Sequence, residues 1–281
     1  MYYRLKERAI RLLADIEKIL YVTKDCNIKI QKLEGKIEFP YDFSNVKGEF
    51  EPFENGDYFA NDTFDKYVLF KLDVDFPDLC DEDDLFLNIT TNQSGHNMLK
   101  PQMLLFKDGE AVQGLDTNHK YVKLNDLKGK KQSFYLYAFS GIQAEHGYKW
   151  CALDTDKGVK LYVSAVSKNR LLYKYYISLK TALAQTDFMP ENSADYVKIL
   201  YALNESLAML DFRYPHSESF YESLEKANEH LEKELYSCCY ENTGEATLIG
   251  HTHLDVAWLW QYSHTRDKVL RSFATEVKFL E

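Results

Sequence analysis

The residues best suited to chemistry stand together in His251-Thr252-His253-Leu254-Asp255-Val256-Ala257-Trp258-Leu259-Trp260. Two histidines and an aspartate occupy alternate positions. In extended backbone, alternate side chains point to the same side, so His251, His253 and Asp255 would share one face. Imidazole nitrogen and carboxylate oxygen are the donors that a borderline cation such as zinc prefers. One histidine of such a set can instead orient a ligand from behind. An isolated His-x-His is also compatible with two histidines hydrogen-bonded near a turn, so position matters. Here Ala246–Gly250 (ATLIG) precedes the triple, after the turn-forming Glu241-Asn242-Thr243-Gly244. A short apolar run bounded by turn residues is the pattern of a buried parallel strand. Ligands of open α/β sheets bind beyond the carboxyl ends of such strands.

The elements that must carry this stretch fall into three zones. At the amino terminus Leu5, Ala9, Leu12, Leu13, Ile16, Ile19 and Leu20 recur at three- and four-residue intervals, which predicts a helix with one apolar face; we assign residues 1–26 to this segment. Residues 27–168 change to period two, with strands expected at Tyr67–Asp75, Leu85–Thr91, Gln102–Lys107, Lys120–Leu124, Ser133–Phe139 and Val159–Val166. Turn clusters between them, among them Lys107-Asp108-Gly109-Glu110, predict an antiparallel β-sandwich. Helical periodicity returns over residues 169–243. It predicts helices at Arg170–Ala184 and around Tyr196–Leu210, and a third opening on a Ser219/Glu222 capping box. This zone reads as a connector, with residues 244–281 as the first strand and helix of an α/β domain. The fold class expected is therefore α+β and multidomain.

Composition narrows the partners. There are 44 acidic residues against 34 Lys and Arg, a net charge of −10, a sign that repels phosphate backbones; nucleic acid is not an expected partner. No run of 18 apolar residues occurs, so no membrane span is expected. Charges at Arg4, Lys6, Glu7, Arg8 and Arg11 interrupt the apolar core that a secretory leader needs. The five cysteines lack metal-type spacing, and an odd count suits reduced thiols. Both features lead us to expect a cytoplasmic protein.

Three metal-using classes compete for the triple. A metallo-β-lactamase-type hydrolase would need a further histidine directly after Asp255, where Val256 stands. An amidohydrolase-type barrel suits His251 and His253 but has no particular use for the tryptophan-rich stretch that follows; it remains the alternative. The third class carries a much longer match. The run Gly250–Phe273, GHTHLDVAWLWQYSHTRDKVLRSF, closely resembles the first catalytic motif of glycoside hydrolase family 38 α-mannosidases. The preceding layout of β-domain and helices resembles the bacterial and cytosolic branch of that family.

That resemblance implies a zinc-dependent retaining α-mannosidase, with His253 and Asp255 as two ligands of zinc or another divalent cation. Trp258 would stack beneath a bound mannose, because a hexose offers an apolar C–H face to a ring while its vicinal hydroxyls chelate the metal. Trp260 is expected in packing, His251 behind a ligand, and His264, Arg266 and Arg271 in solvent or structural pairing. Retaining hydrolysis needs a nucleophilic carboxylate and an acid/base carboxyl, and both are expected beyond Glu281. The catalytic domain is therefore expected to be incomplete in these 281 residues, which alone should be inactive. The implied substrate is a mannose-containing oligosaccharide, and the family suggests a homo-oligomer. A competing role is sugar binding by the β-domain itself, with Tyr58, Tyr121, Tyr135 and Tyr148 as available rings.

Overall fold

A computed structural model describes residues 2–43, 46–60, 66–93, 101–141, 158–191, 193–236, 245, 247, 249–257 and 260–280. Two compact units emerge. One comprises residues 1–22, 80–84 and 167–247, and the other residues 23–79, 85–166 and 248–281.

The first unit is helical. It contains α1 (Tyr2–Lys18), α2 (Arg170–Gln185), α3 (Ala194–Met209) and α4 (Glu218–Tyr236). Its core joins Ala9 and Ile16 of α1 to Leu172, Tyr175, Leu200, Leu207, Phe220 and Leu224, so the helical zone has a core of its own. A buried relay fixes its centre: the Tyr175 hydroxyl lies 2.8 Å from Ser206 Oγ, which donates to the Ala227 carbonyl at 2.7 Å. Side-chain caps start three helices, Asn169 accepting from Leu172 N–H, Ser193 from Tyr196 N–H and Ser217 from Phe220 N–H. The α4 cap corrects the expected one. Ser219 lies inside the helix, and the backbone carbonyl of Ser217 accepts the first helical bond from Tyr221. Ser217, two residues earlier, satisfies the orphan amide that the Ser219/Glu222 box was expected to serve.

The second unit is built on a β-sandwich. One sheet has five strands: β1 (Val22–Lys24), β11 (Val159–Asn169), β6 (Asp83–Thr91) and β9 (Tyr121–Lys123) in that order, with β4 (Tyr58–Ala60) on β11. The other has six, in the order β3 (Glu51–Phe53), β2 (Asn27–Glu34), β5 (Tyr67–Asp75), β10 (Lys131–Phe139), β7 (Gln102–Lys107) and β8 (Glu110–Leu115). Central pairs are antiparallel, as in Leu136↔Phe70 and Leu136↔Leu105. The β7–β8 hairpin turns through Asp108 (φ 53°) and Gly109 (φ 88°), two successive left-handed residues that match the twist of the flanking strands.

Both faces of the six-stranded sheet are covered. Val68, Phe70, Leu72, Phe134, Leu136 and Ala138 point into the space between the sheets. The alternate residues Leu69, Leu104, Phe106 and Tyr137 form a second cluster on the reverse face. Tyr41 and Phe43 cover that face together with α5 (Tyr262–Leu280), through its Leu270 and Ala274. This is why β5 and β7 read as near-continuous apolar runs, since strands buried on two faces lose the polar alternation.

The strand expected at Ala246–Gly250 is not seen: Thr247, Ile249 and Gly250, its described residues, are not in a strand. Ile249 is 81% exposed. A buried parallel strand needs neighbours on both sides, and among the described residues none pairs with this segment.

Candidate metal-binding site

Residues 251–254 alternate in exposure without belonging to a sheet, and Asp255 is partly covered like Leu254 before it. His251 and His253 are exposed, while Thr252 and Leu254 are partly covered. His253 Nε2 lies 3.0 Å from Asp255 Oδ1, so the two expected donors converge. The His253 side chain is 80% exposed and that of Asp255 40%, leaving both open to a ligand. The donor chemistry suits zinc, one imidazole nitrogen and one carboxylate oxygen, but a catalytic zinc site takes three protein ligands and an open position. Among the described residues no group of three or more histidine, cysteine, aspartate or glutamate side chains is placed to hold a metal. Trp258 lies outside the described residues. Trp260 is 7% exposed, in the packing role expected of it, with Lys268 Nζ 4.2 Å from its ring centroid.

Behind the segment, α5 and the sheet enclose charge. Asp267 is 9% exposed; it accepts hydrogen bonds from the hydroxyls of Tyr41 and Tyr67. Burial, reinforced by that carboxylate, holds both tyrosine hydroxyls protonated far above their ordinary range. One turn on, the Arg271 guanidinium donates to Gln102 Oε1. Burial, with help from the Arg271 charge, pulls the Lys268 ammonium down to about 8. A cavity of about 180 Å³ lies between Lys268 and Arg271 of α5 and the β8–β9 loop, lined among others by Thr252, Asp116, His119 and Glu276. Thr252 thus faces this cavity.

Of the other residues singled out, His264 packs its ring beside Phe139 and Tyr67 at 5.2 and 6.4 Å. Arg266 is exposed. Among the tyrosines considered for sugar binding, Tyr135 stacks on Phe43 at 4.9 Å and Tyr58 lies under Lys160 Nζ at 4.7 Å. Tyr121 meets Phe86 edge-on, and Tyr148 lies outside the described residues. Sequence reasoning missed the Asp267–Tyr41–Tyr67 cluster, because its partners stand two hundred or more positions apart.

Residues 243–281, the segment holding His253, Asp255 and α5, match the model of the glycosyl hydrolases family 38 N-terminal domain. This segment resembles that family. Similarity to curated proteins reaches further back. Alpha-mannosidase G of Dictyostelium discoideum is 23% identical over 224 residues, 75% of this chain and 19% of that protein. Alpha-mannosidase 2C1 of Mus musculus is 26% identical over 189 residues, 64% of this chain and 18% of the relative. The Homo sapiens protein of the same name is 28% identical over 188 residues, 63% and 17% of the respective lengths. The chain thus spans less than a fifth of the relatives it matches. Alignments of such length cannot fit within residues 243–281, so the similarity to these α-mannosidases includes residues ahead of that segment. No described helix is long and apolar enough to cross a membrane.

Proposed function

We propose that this chain is the amino-terminal part of a zinc-dependent retaining α-mannosidase that removes terminal α-linked mannose from oligosaccharides or glycans. The observation that carries the reading is the coincidence of the family 38 match over residues 243–281 with the converging His253–Asp255 pair. His253 Nε2 and Asp255 Oδ1 would supply two ligands, and Trp258 the ring beneath the sugar. Bound zinc would polarise and orient sugar hydroxyls. The remaining ligands and the two carboxyl groups of a double displacement would come from the rest of a polypeptide of the relatives' length. The names of the relatives support mannose as the sugar, and the acidic balance of the chain favours a neutral glycan over a nucleic acid. A cytoplasmic location is part of this proposal.

The test uses the 281 residues and the complete gene product side by side. The 281 residues should bind zinc weakly and release nothing from an aryl α-mannoside, and the complete product should hydrolyse it. Replacement Asp255→Ala in the complete product should remove bound zinc and lower kcat/KM by about a thousandfold or more, about 4 kcal/mol of transition-state stabilisation. Wild-type zinc content and rate in that variant would dismiss the assignment.

A further inference from the structure

The contact between α5 and the six-stranded sheet holds more than apolar packing requires. Leu270 and Ala274 already give the helix a greasy footing on the sheet, and apolar contacts are non-directional. Hydrogen bonds have preferred geometry and fix a register. Three sets of them meet here. The first is at Gly114 of β8. A Cβ added there would stand 2.8 Å from both Arg271 Cβ and the Arg271 carbonyl oxygen, so helix backbone rests directly on strand backbone. Gly114 N–H donates to Thr275 Oγ1 at 3.1 Å, and that hydroxyl donates to the Arg271 carbonyl at 2.8 Å. The second is the buried Asp267 with the hydroxyls of Tyr41 and Tyr67, and the third is Arg271 on Gln102.

The first turn of α5 reaches the candidate site. Thr265, 4% exposed, accepts the Ala257 N–H on its Oγ1 at 3.1 Å. Ala257 has φ 51°, a left-handed bend that an alanine adopts only when its surroundings impose it. This bend closely follows His253-Leu254-Asp255. A continuous path therefore runs from the sheet, through Gly114, Asp267 and Arg271, along α5 to Thr265, and across to the metal-site segment.

We propose that the β-sandwich is a docking platform that fixes the frame of α5 and, through the Thr265–Ala257 bond, sets the orientation of His253 and Asp255. Gly114, Asp267 and Arg271 are then positioning residues. For its metal half the inference rests on the reading of His253 and Asp255 as ligands; its mechanical half does not.

Amide hydrogen exchange and cobalt(II) titration on the 281-residue chain test both halves. In Gly114→Val, exchange should accelerate about tenfold or more at Ala257 and along α5, with β5 and β10 unchanged, because local opening is governed by local contacts. The cobalt dissociation constant should rise by about the same factor. The double replacement Tyr41→Phe and Tyr67→Phe, which removes two hydroxyls without changing the rings, should act in the same direction if the glycine variant fails to fold. Asp267→Asn keeps an oxygen for Tyr41 and should recover much of what Asp267→Leu loses; a merely space-filling role would not distinguish them. His253→Ala should abolish cobalt binding with no change at Ala257. Loosening of α5 with Ala257 exchange unaltered would overturn the proposal. If the wild-type chain binds no cobalt, the ligand assignment fails, and Ala257 exchange still decides whether the platform positions the segment.

Discussion

At the scale of single residues, the clearest titrating pair is His119 with Asp116 on the β8–β9 loop, Nδ1 to Oδ1 3.0 Å. The bond to Asp116 raises His119 above its ordinary range despite partial burial. Burial pushes Asp116 up, but the His119 ring and the N–H groups of Asn118 and His119 outweigh it and hold the carboxyl low. The raised histidine contributes stability that is complete below its unfolded pKa and lost as pH rises through its folded one. The depressed aspartate contributes stability that is lost as pH falls through its own folded value. Between these limits the pair is ionised. With both side chains over a third exposed, solvent screening limits the gain to ~1 kcal/mol or less. Thermal midpoints of wild type and His119→Gln should therefore differ most in mildly acidic buffer and converge as pH rises well above neutrality. A constant difference across that range would remove the charge from the explanation.

At the scale of elements, the inter-sheet core should dominate stability. Phe70 is fully buried and meets Phe53 and Phe59 at 5.1 and 5.5 Å. Phe70→Ala should cost ~3–5 kcal/mol in urea unfolding of the β-sandwich. Loss of the α4 cap in Ser217→Ala should cost about 1 kcal/mol, read in the melting of the helical unit. The long strands were legible in the sequence: Tyr67–Asp75 and Gln102–Lys107 occur with those bounds, since their apolar runs are bounded by turn residues. The hairpin at Asp108-Gly109 was legible for its chemistry. Strands β1, β3 and β4 were not, because three-residue ladders are too short for any period to register. Nor was β2, whose lone fully buried position, Ile30, leaves little alternation to read. The buried strand expected before His251 follows from a pattern that only neighbouring strands can realise. Spacing put His251, His253 and Asp255 on one face, and the family resemblance singled out the last two, whereas the sheet that backs α5 is assembled from residues distant in the chain.

At the scale of the whole molecule, α5 has a second character. Its outward positions Phe273, Val277 and Leu280 are 54%, 59% and 80% exposed, a concentration of apolar surface unusual for water-facing helices. The chain should bind an apolar fluorescent dye in its native state. Phe273→Ser with Val277→Ser should lower that signal severalfold while leaving the circular dichroism unchanged, and an unaltered signal would place the dye elsewhere. The doubly covered sheet has a different consequence. Along β5 and β10, neighbouring residues answer to different masters: Phe70 and Leu136 serve the sandwich, Leu69 and Tyr137 serve the helix next to the histidines. Random mutagenesis of these two strands should therefore yield interleaved phenotypes, with odd positions of β5 and β10 sorting apart from even ones. One set would sicken the fold; the other would leave a sound fold with a misdirected site.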